Sequence, residues 1–184
     1  MEYAVWAIRI RLQMLHRTRY LALFNLAIDS KLRSCDLVRI RVADVAHSGR
    51  VLSRATVLQQ KIKLPVRFEL TEQTRDSMQA WITAKGLRAT DYLFSSRRGR
   101  HRHISTRQYA RIVDSWVSLI GLDHHEYGTR SLRRTKATLI YRRTKNLRAV
   151  QLLPGHLSDC RLALQDIQHH LGLALGRPAL DLVF

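Results

Sequence analysis

Acidic side chains are scarce in this 184-residue chain, and that scarcity is the first constraint on its partners. Only 14 Asp and Glu residues accompany 32 Lys and Arg, so the formal net charge is +18 and the pI is about 11.2. This excess favours a polyanionic partner, either nucleic acid or an anionic membrane surface. No apolar run approaches the roughly 20 residues of a membrane-spanning helix. Nucleic acid is therefore the favoured class, although charge alone does not separate DNA from RNA.

Cysteine, proline and glycine are also few. The two cysteines, Cys35 and Cys160, are far apart in sequence; they could form a disulfide, but two cysteines in a chain that looks intracellular are more often free buried thiols. Residues 1–6 carry an acid and lack the basic and apolar regions of a signal peptide, so we expect a cytoplasmic protein. Three prolines and eight glycines leave few helix-breaking positions. Because hydrophobic residues amount to 46%, the chain can fold as one helix-rich domain with a sizeable core.

Apolar periodicity predicts a mainly α-helical domain with a small antiparallel β-hairpin, an α+β arrangement. Helices are predicted over residues 2–15, 18–30, 130–143 and 146–153. Two further helices are predicted to begin after Ser34 and Thr71 as N-caps, and another runs from Ser105 or Thr106 to Gly121. Alternation over 51–58 and 66–70 predicts two strands joined by a turn near 60–65. Residues 94–104 are predicted to form a basic loop.

Cations are most concentrated between Tyr127 and Ser158, where eight Lys or Arg residues occur without a single carboxylate. Within this stretch Arg130 and Arg133 are three apart, so they share one face of a helix. His156 follows on a second short segment, and imidazole normally titrates near neutral pH. Such a pattern indicates a site for phosphate groups.

These residues resemble the second catalytic box of the tyrosine recombinase (phage integrase) family, a His-x-x-Arg motif followed by a later Gly-His. Residues 31–37, with Arg33 before the pair Asp36-Leu37, resemble the first box. Lys61 matches the lysine of the family's β-hairpin. The resemblance extends over about residues 17–160 and implies a recombinase-like catalytic domain there. Residues 1–16 are then an N-terminal helix and residues 161–184 an atypical C-terminal tail.

The resemblance also implies a role for each matched residue. Arg33 and Arg133 would clamp one phosphate from two sides, since a guanidinium fork can bind two of its oxygens. Arg130 stands where the family usually has histidine. It can donate hydrogen bonds to phosphate but cannot act as a general base. His156 would be a further donor to the phosphate; the alternative is a histidine satisfied in a helix cap.

The remaining cations allow two interpretations. Lys61 would protonate the leaving hydroxyl, but Lys63 is a rival because turn lengths vary, and either could be a solvated turn lysine. Arg33 by itself would be better explained as a solvated arginine at a helix end, and the later boxes at family-like spacing favour the functional role. Predicted contacts to the DNA backbone come from the basic run of residues 97–103 and from one arginine of the second box: Arg97, Arg98, Arg100, Arg102 and Arg134. The basic run could also be a solvated charge cluster.

The nucleophile of the resembled family is missing. No tyrosine follows Tyr141, and Gln165 occupies the place where the resemblance puts the tyrosine that attacks phosphorus. A neutral amide cannot form the covalent phosphotyrosyl link that divides strand transfer into two steps. Tyr127 and Tyr141 are expected to be core or edge residues. The chain is thus expected to bind DNA without cutting it. It would be a non-catalytic binding module or a decayed integrase, and a frameshift near codon 157 would explain both Gln165 and the unusual tail.

No metal or cofactor is expected. Adjacent histidines on a helix point about 100° apart, no Cys-x-x-Cys accompanies them, and no phosphate-cradling Gly-x-x-x-x-Gly-Lys motif occurs. The expected partner is double-stranded DNA, bound by a homo-oligomer or together with a partner recombinase, and no membrane is expected. A basic RNA-binding protein is the remaining alternative.

Overall fold

A computed structural model describes residues 2–96, 99–125 and 127–145. The chain divides into two compact units, residues 1–136 and 137–184, and residues 137–145 are the described part of the second. The described helices are α1 (Glu2–Met14), α2 (Thr18–Ser30), α3 (Ser34–Leu37), α4 (Val42–Val45), α5 (Glu72–Lys85), α6 (Thr106–Leu119) and α7 (Thr129–Thr144). The described strands are β1 (Ala46–His47), β2 (Arg50–Val51), β3 (Arg54–Leu58), β4 (Pro65–Glu69), β5 (Ser95–Ser96) and β6 (Gly99–His103). The predicted mainly α fold with small antiparallel β elements is confirmed.

Helix α2 is the centre of the first unit. Every residue from Ala22 to Ser30 is buried, polar ones included, so this helix needs neighbours on all sides. Helices α1 and α5 pack against it. Trp116 of α6 is 2% exposed and lies edge-on to Phe24, with ring centroids 5.4 Å apart. Trp116 therefore belongs to the core.

The β3–β4 hairpin follows the predicted alternation. Ala55 pairs with Phe68 and both are buried, whereas the residues on either side of each of them, Arg54, Thr56, Arg67 and Glu69, are exposed. The strand begins at Arg54 rather than at residue 51, and this part of the prediction is wrong. Val51 instead belongs to β2 and pairs with Ala46 of β1 in a separate two-stranded sheet. The chain therefore completes the β1–β2 pair before the β3–β4 pair begins.

The prediction of a basic loop over residues 94–104 is also wrong. Strands β5 and β6 form an antiparallel hairpin with Ser95 opposite His103. The hairpin forms because Phe94 and Ile104 are both fully buried in the core, and the Ile104 amide donates to the Phe94 carbonyl at 3.0 Å. Because Phe94 and Ile104 are buried next to each other, the chain between them has to reverse direction, and its two halves pair as antiparallel strands. Across the described ranges, none of the helices combines the length and apolar character needed to cross a bilayer.

Candidate functional site

The end of α2 is built on a strained residue. Lys31 follows the helix in the left-handed conformation, with φ of 52°, which non-glycine residues seldom adopt. This reversal buries Leu32 and puts Arg33 at the start of α3 in extended conformation, with φ of −65° and ψ of 151°. Ser34 was the predicted cap of α3, but Arg33 holds the cap position and makes no side-chain capping bond.

The Arg33 guanidinium is half-buried. Its Nη1 atom is buried and has no hydrogen-bond partner among the residues that the structure describes. A buried donor without an acceptor costs free energy, and native structures keep few of them. An anion whose oxygen reaches this nitrogen would remove that cost.

Arg133 on α7 is held against the same turn. Its Nε donates to the Lys31 carbonyl at 2.7 Å, two residues before Arg33. The bond joins positions 102 residues apart in sequence. The structure thus brings the Arg133 guanidinium to the backbone two residues before Arg33, and their joint contact with one phosphate stays a prediction.

Lys61 is tied to the helix of Arg33 through a buried carboxylate. Asp36 is 2% exposed and lies one turn after Arg33, and its Oδ1 accepts the Gln60 backbone amide at 2.9 Å. Lys61, the next residue, is exposed in the turn between β3 and β4. Asp36 entered the sequence argument only as part of the first box. Its contact to the hairpin was not predicted, because a residue pair 24 apart leaves no periodic signal.

Lys63 is exposed in the same turn. It has φ of 54°, and its backbone amide donates to the Gln59 carbonyl at 2.9 Å. Of the two lysines, Lys61 directly follows the residue that Asp36 anchors, and the role of Lys61 beside the phosphate stays a prediction.

The other predicted positions are more dispersed. Arg130 is exposed in the first turn of α7, Arg134 is half-buried on the same helix, and Arg102 is exposed on β6. Arg100 also belongs to β6. Four predicted positions lie outside the described residues: Arg97, Arg98, His156 and Gln165.

One premise of the metal argument is wrong. His124 and His125 lie in a turn and not on a helix, and their ring centroids are 4.2 Å apart. Together with Asp123 they offer three exposed ligand atoms within 4.8 Å of one another. Tetrahedral zinc with bonds of about 2.1 Å needs ligand atoms only about 3.4 Å apart. The three side chains would have to move closer together to bind such an ion, and the expectation of no metal site stays a prediction.

Comparisons with known proteins show which family the chain resembles. The model of the phage integrase family matches residues 10–162. A probable integrase/recombinase, YoeC of Bacillus subtilis, is 29% identical over 136 residues, which cover 74% of this chain and 70% of YoeC. The tyrosine recombinase XerC of Corynebacterium efficiens is 29% identical over 139 residues, which cover 74% of this chain and 42% of XerC.

Solved structures share the fold. The crystal structure of XerA recombinase aligns with a TM-score of 0.71 at 19% identity, covering 97% of this chain and 63% of XerA. XerH recombinase bound to a palindromic difH substrate also aligns with a TM-score of 0.71, at 17% identity, covering 94% of this chain and 50% of XerH. The chain thus spans about half to two thirds of these solved chains. Since the family model matches most of the sequence, and the arginine of the second box lies against the turn of the first, this chain belongs to the phage integrase family.

Proposed function

We propose that this chain binds duplex DNA in the manner of a site-specific recombinase, gripping one backbone phosphate between Arg33 and Arg133. The observation that carries the proposal is the bond from Arg133 to the Lys31 carbonyl beside the partly buried, unsatisfied Arg33 guanidinium. Two guanidinium groups near one turn repel each other unless an anion lies between them. A phosphodiester supplies that charge and four oxygens as acceptors.

The other matched residues complete the proposed site. Lys61, on its anchored turn, approaches the phosphate oxygen that would leave in a cleaving member of the family, and Arg130 and His156 donate to the phosphate. The exposed cations around it bind neighbouring phosphates without reading sequence: Arg97, Arg98, Arg100, Arg102 and Arg134. The net charge of +18 supports this second set of contacts, since the field of the whole chain attracts DNA.

We further propose that the chain does not cleave DNA, because Gln165 occupies the position of the nucleophilic tyrosine. The function is then occupation of DNA sites by a family member that retains its phosphate shell, whether as a binding module or as a decayed integrase remnant. The proposed setting is the cytoplasm. The proposed assembly is a homo-oligomer on DNA or a complex with an active recombinase, in which the partner performs the cleavage.

The binding proposal is tested by fluorescence anisotropy with a labelled 30-base-pair duplex over a series of salt concentrations. The logarithm of affinity should fall linearly with the logarithm of salt concentration, by about 0.9 for each phosphate neutralised. Arg33→Ala should weaken binding about tenfold, because a charge-assisted hydrogen bond contributes about 1.5–3 kcal/mol. Arg11→Ala removes the same charge from the exposed side of α1 and should change affinity less than twofold. Affinity that does not depend on salt, or equal effects of the two substitutions, would contradict the proposed site.

Cleavage is tested with a nicked suicide substrate followed by denaturing electrophoresis. The native chain should form no covalent adduct. An adduct would show that another residue, with Tyr141 or Tyr127 the first to test, attacks the phosphate. Gln165→Tyr restores a phenol at the expected position. An adduct with this variant would show that the phosphate shell is still competent, whereas its absence would indicate that the loss extends beyond one residue.

A further inference from the structure

We propose that Asp29 and Lys136 are positioning residues that set the direction of the Arg133 guanidinium by fixing α7 against the end of α2. Neither residue belongs to the boxes described above. The proposal rests on the proposed phosphate-binding function for its purpose, but its geometry can be tested without DNA.

Asp29 is a junction between three helices. It is 3% exposed in the last turn of α2. Its Oδ2 accepts two bonds from Thr71 at the start of α5, one from the backbone amide and one from the hydroxyl, each at 2.8 Å. Its Oδ1 lies 3.5 Å from the Nζ of Lys136 on α7. Each carboxylate oxygen therefore serves a different helix.

Lys136 makes a second contact at the same place. Its Nζ donates to the Asp29 carbonyl at 3.1 Å, and only 22% of its side chain is exposed. The last carbonyls of a helix have no partner within the helix, and a cation near them is favoured. The Lys136 ammonium thus satisfies a helix end and a carboxylate together, which accounts for its largely covered position.

The two contacts of α7 act as a pair. Arg133 and Lys136 are three residues apart, so they project from one face of the helix. Arg133 bonds to the Lys31 carbonyl, and Lys136 bonds to Asp29, two residues earlier. Contacts at two points resist both rotation and sliding of α7 along α2. If the Lys136 contact is lost, α7 loses one of the contacts that fix its rotation against α2, and the direction of the Arg133 fork becomes less defined.

The competing explanation is a direct contact between Lys136 and DNA. A substitution of Asp29 distinguishes this explanation from the positioning role. Asp29→Asn keeps an oxygen that can accept from Thr71, and places an amide NH₂, which cannot accept, opposite the ammonium. It also raises the net charge by one. A purely electrostatic role for this region predicts tighter DNA binding by Asp29→Asn, whereas positioning predicts weaker binding.

The first experiment observes Arg133 without DNA. In a ¹H–¹⁵N spectrum of the arginine Nε–H region, the Arg133 signal should be protected from solvent exchange, because Nε donates to the Lys31 carbonyl. Lys136→Met and Asp29→Asn should each speed this exchange at least tenfold. The matched control is Ser77→Ala, which removes a buried hydroxyl bonded to Asn25 and the Thr74 carbonyl without touching α7. Protection that survives in the folded Lys136→Met or Asp29→Asn protein overturns the proposal; if one variant does not fold, the other decides.

The second experiment measures coupling in DNA affinity. Arg133→Ala should weaken duplex binding about tenfold in the native background and at most about threefold in the Lys136→Met background, because the guanidinium is already misdirected there. Equal losses in the two backgrounds would overturn the positioning role. A native chain that does not bind DNA at all would instead refute the proposed function, and the exchange experiment would still decide the positioning role.

Discussion

At the end of α2, Arg133 and Lys136 are largely covered and donate to backbone carbonyls. On the β3–β4 hairpin, Arg54 and Lys61 extend into solvent. Both regions carry the cations expected of a phosphate-binding protein, but the energetics differ. A covered cation has lost hydration and needs every partner in place. An exposed cation costs little and is screened by salt. Substitutions in the covered region are therefore expected to change stability more than substitutions on the exposed hairpin.

The two regions are joined at Arg33 and Asp36. Arg33 lies beside the turn that Arg133 contacts, and the buried Asp36 holds the hairpin turn through the Gln60 amide. The hairpin is thus fixed at one side of its turn while Lys61 projects freely from the next position.

The largest expected effect tests the covered region. Asp29→Ala should lower the free energy of unfolding by about 3 kcal/mol, because it removes the carboxylate beside the largely covered Lys136 ammonium and the acceptor of the Thr71 amide and hydroxyl. Urea denaturation monitored by circular dichroism measures the change. Asp76→Ala, at an exposed position of α5, is the control and should change stability by less than about 0.5 kcal/mol. Equal losses for the two variants would remove the contrast between covered and exposed positions.

The next effect tests the connection between the regions. Asp36→Ala removes the acceptor of the Gln60 amide and should cost about 1–2 kcal/mol. Hydrogen exchange should show faster exchange at Gln60, while the paired β3–β4 amides such as Val57 keep their protection. If exchange accelerates throughout β3 and β4 alike, Asp36 supports the whole hairpin and not its turn alone.

A smaller effect of opposite sign is expected at the strained turn. Lys31→Gly should raise the free energy of unfolding by about 0.5–1 kcal/mol, since glycine adopts positive φ without steric cost. The Arg133 bond should persist because its acceptor is the backbone carbonyl. Ser48→Gly relieves a similar φ of 48° in an exposed turn and is the comparison variant. Destabilisation by Lys31→Gly alone would mean that the lysine side chain supports this turn.

The smallest effect is expected on the hairpin surface. Arg54 and Glu69 form an ion pair with 2.8 Å between Nη2 and Oε1, but their side chains are 65% and 69% exposed. Glu69→Gln should therefore change stability by less than about 0.5 kcal/mol. The measurement is again urea denaturation, repeated in high salt, where the difference should vanish. A loss comparable to that of Asp29→Ala would show that exposure does not decide the energetics of these cations.

Local pattern predicted much of the fold. Helical periodicity located α1, α2, α5, α6 and α7 within a few residues, and alternation located the β3–β4 pair, because both signals come from which side of an element faces the core. The β5–β6 hairpin was missed. Its residues are basic, and the buried Phe94 and Ile104 that close it lie outside the strands themselves.

What the sequence by itself determined is the chemistry: the excess of cations, the Arg33 and Arg133 boxes, the hairpin lysine and the glutamine at position 165. Only the tertiary structure decided which partners hold those groups. The Lys31 carbonyl, the Asp36 link to Gln60 and the Asp29–Lys136 pair join residues between 24 and 107 positions apart. Such contacts leave no periodic trace in a single sequence, because backbone acceptors are the same at every residue. Packing of α7 against the end of α2 selects which of them a side chain meets.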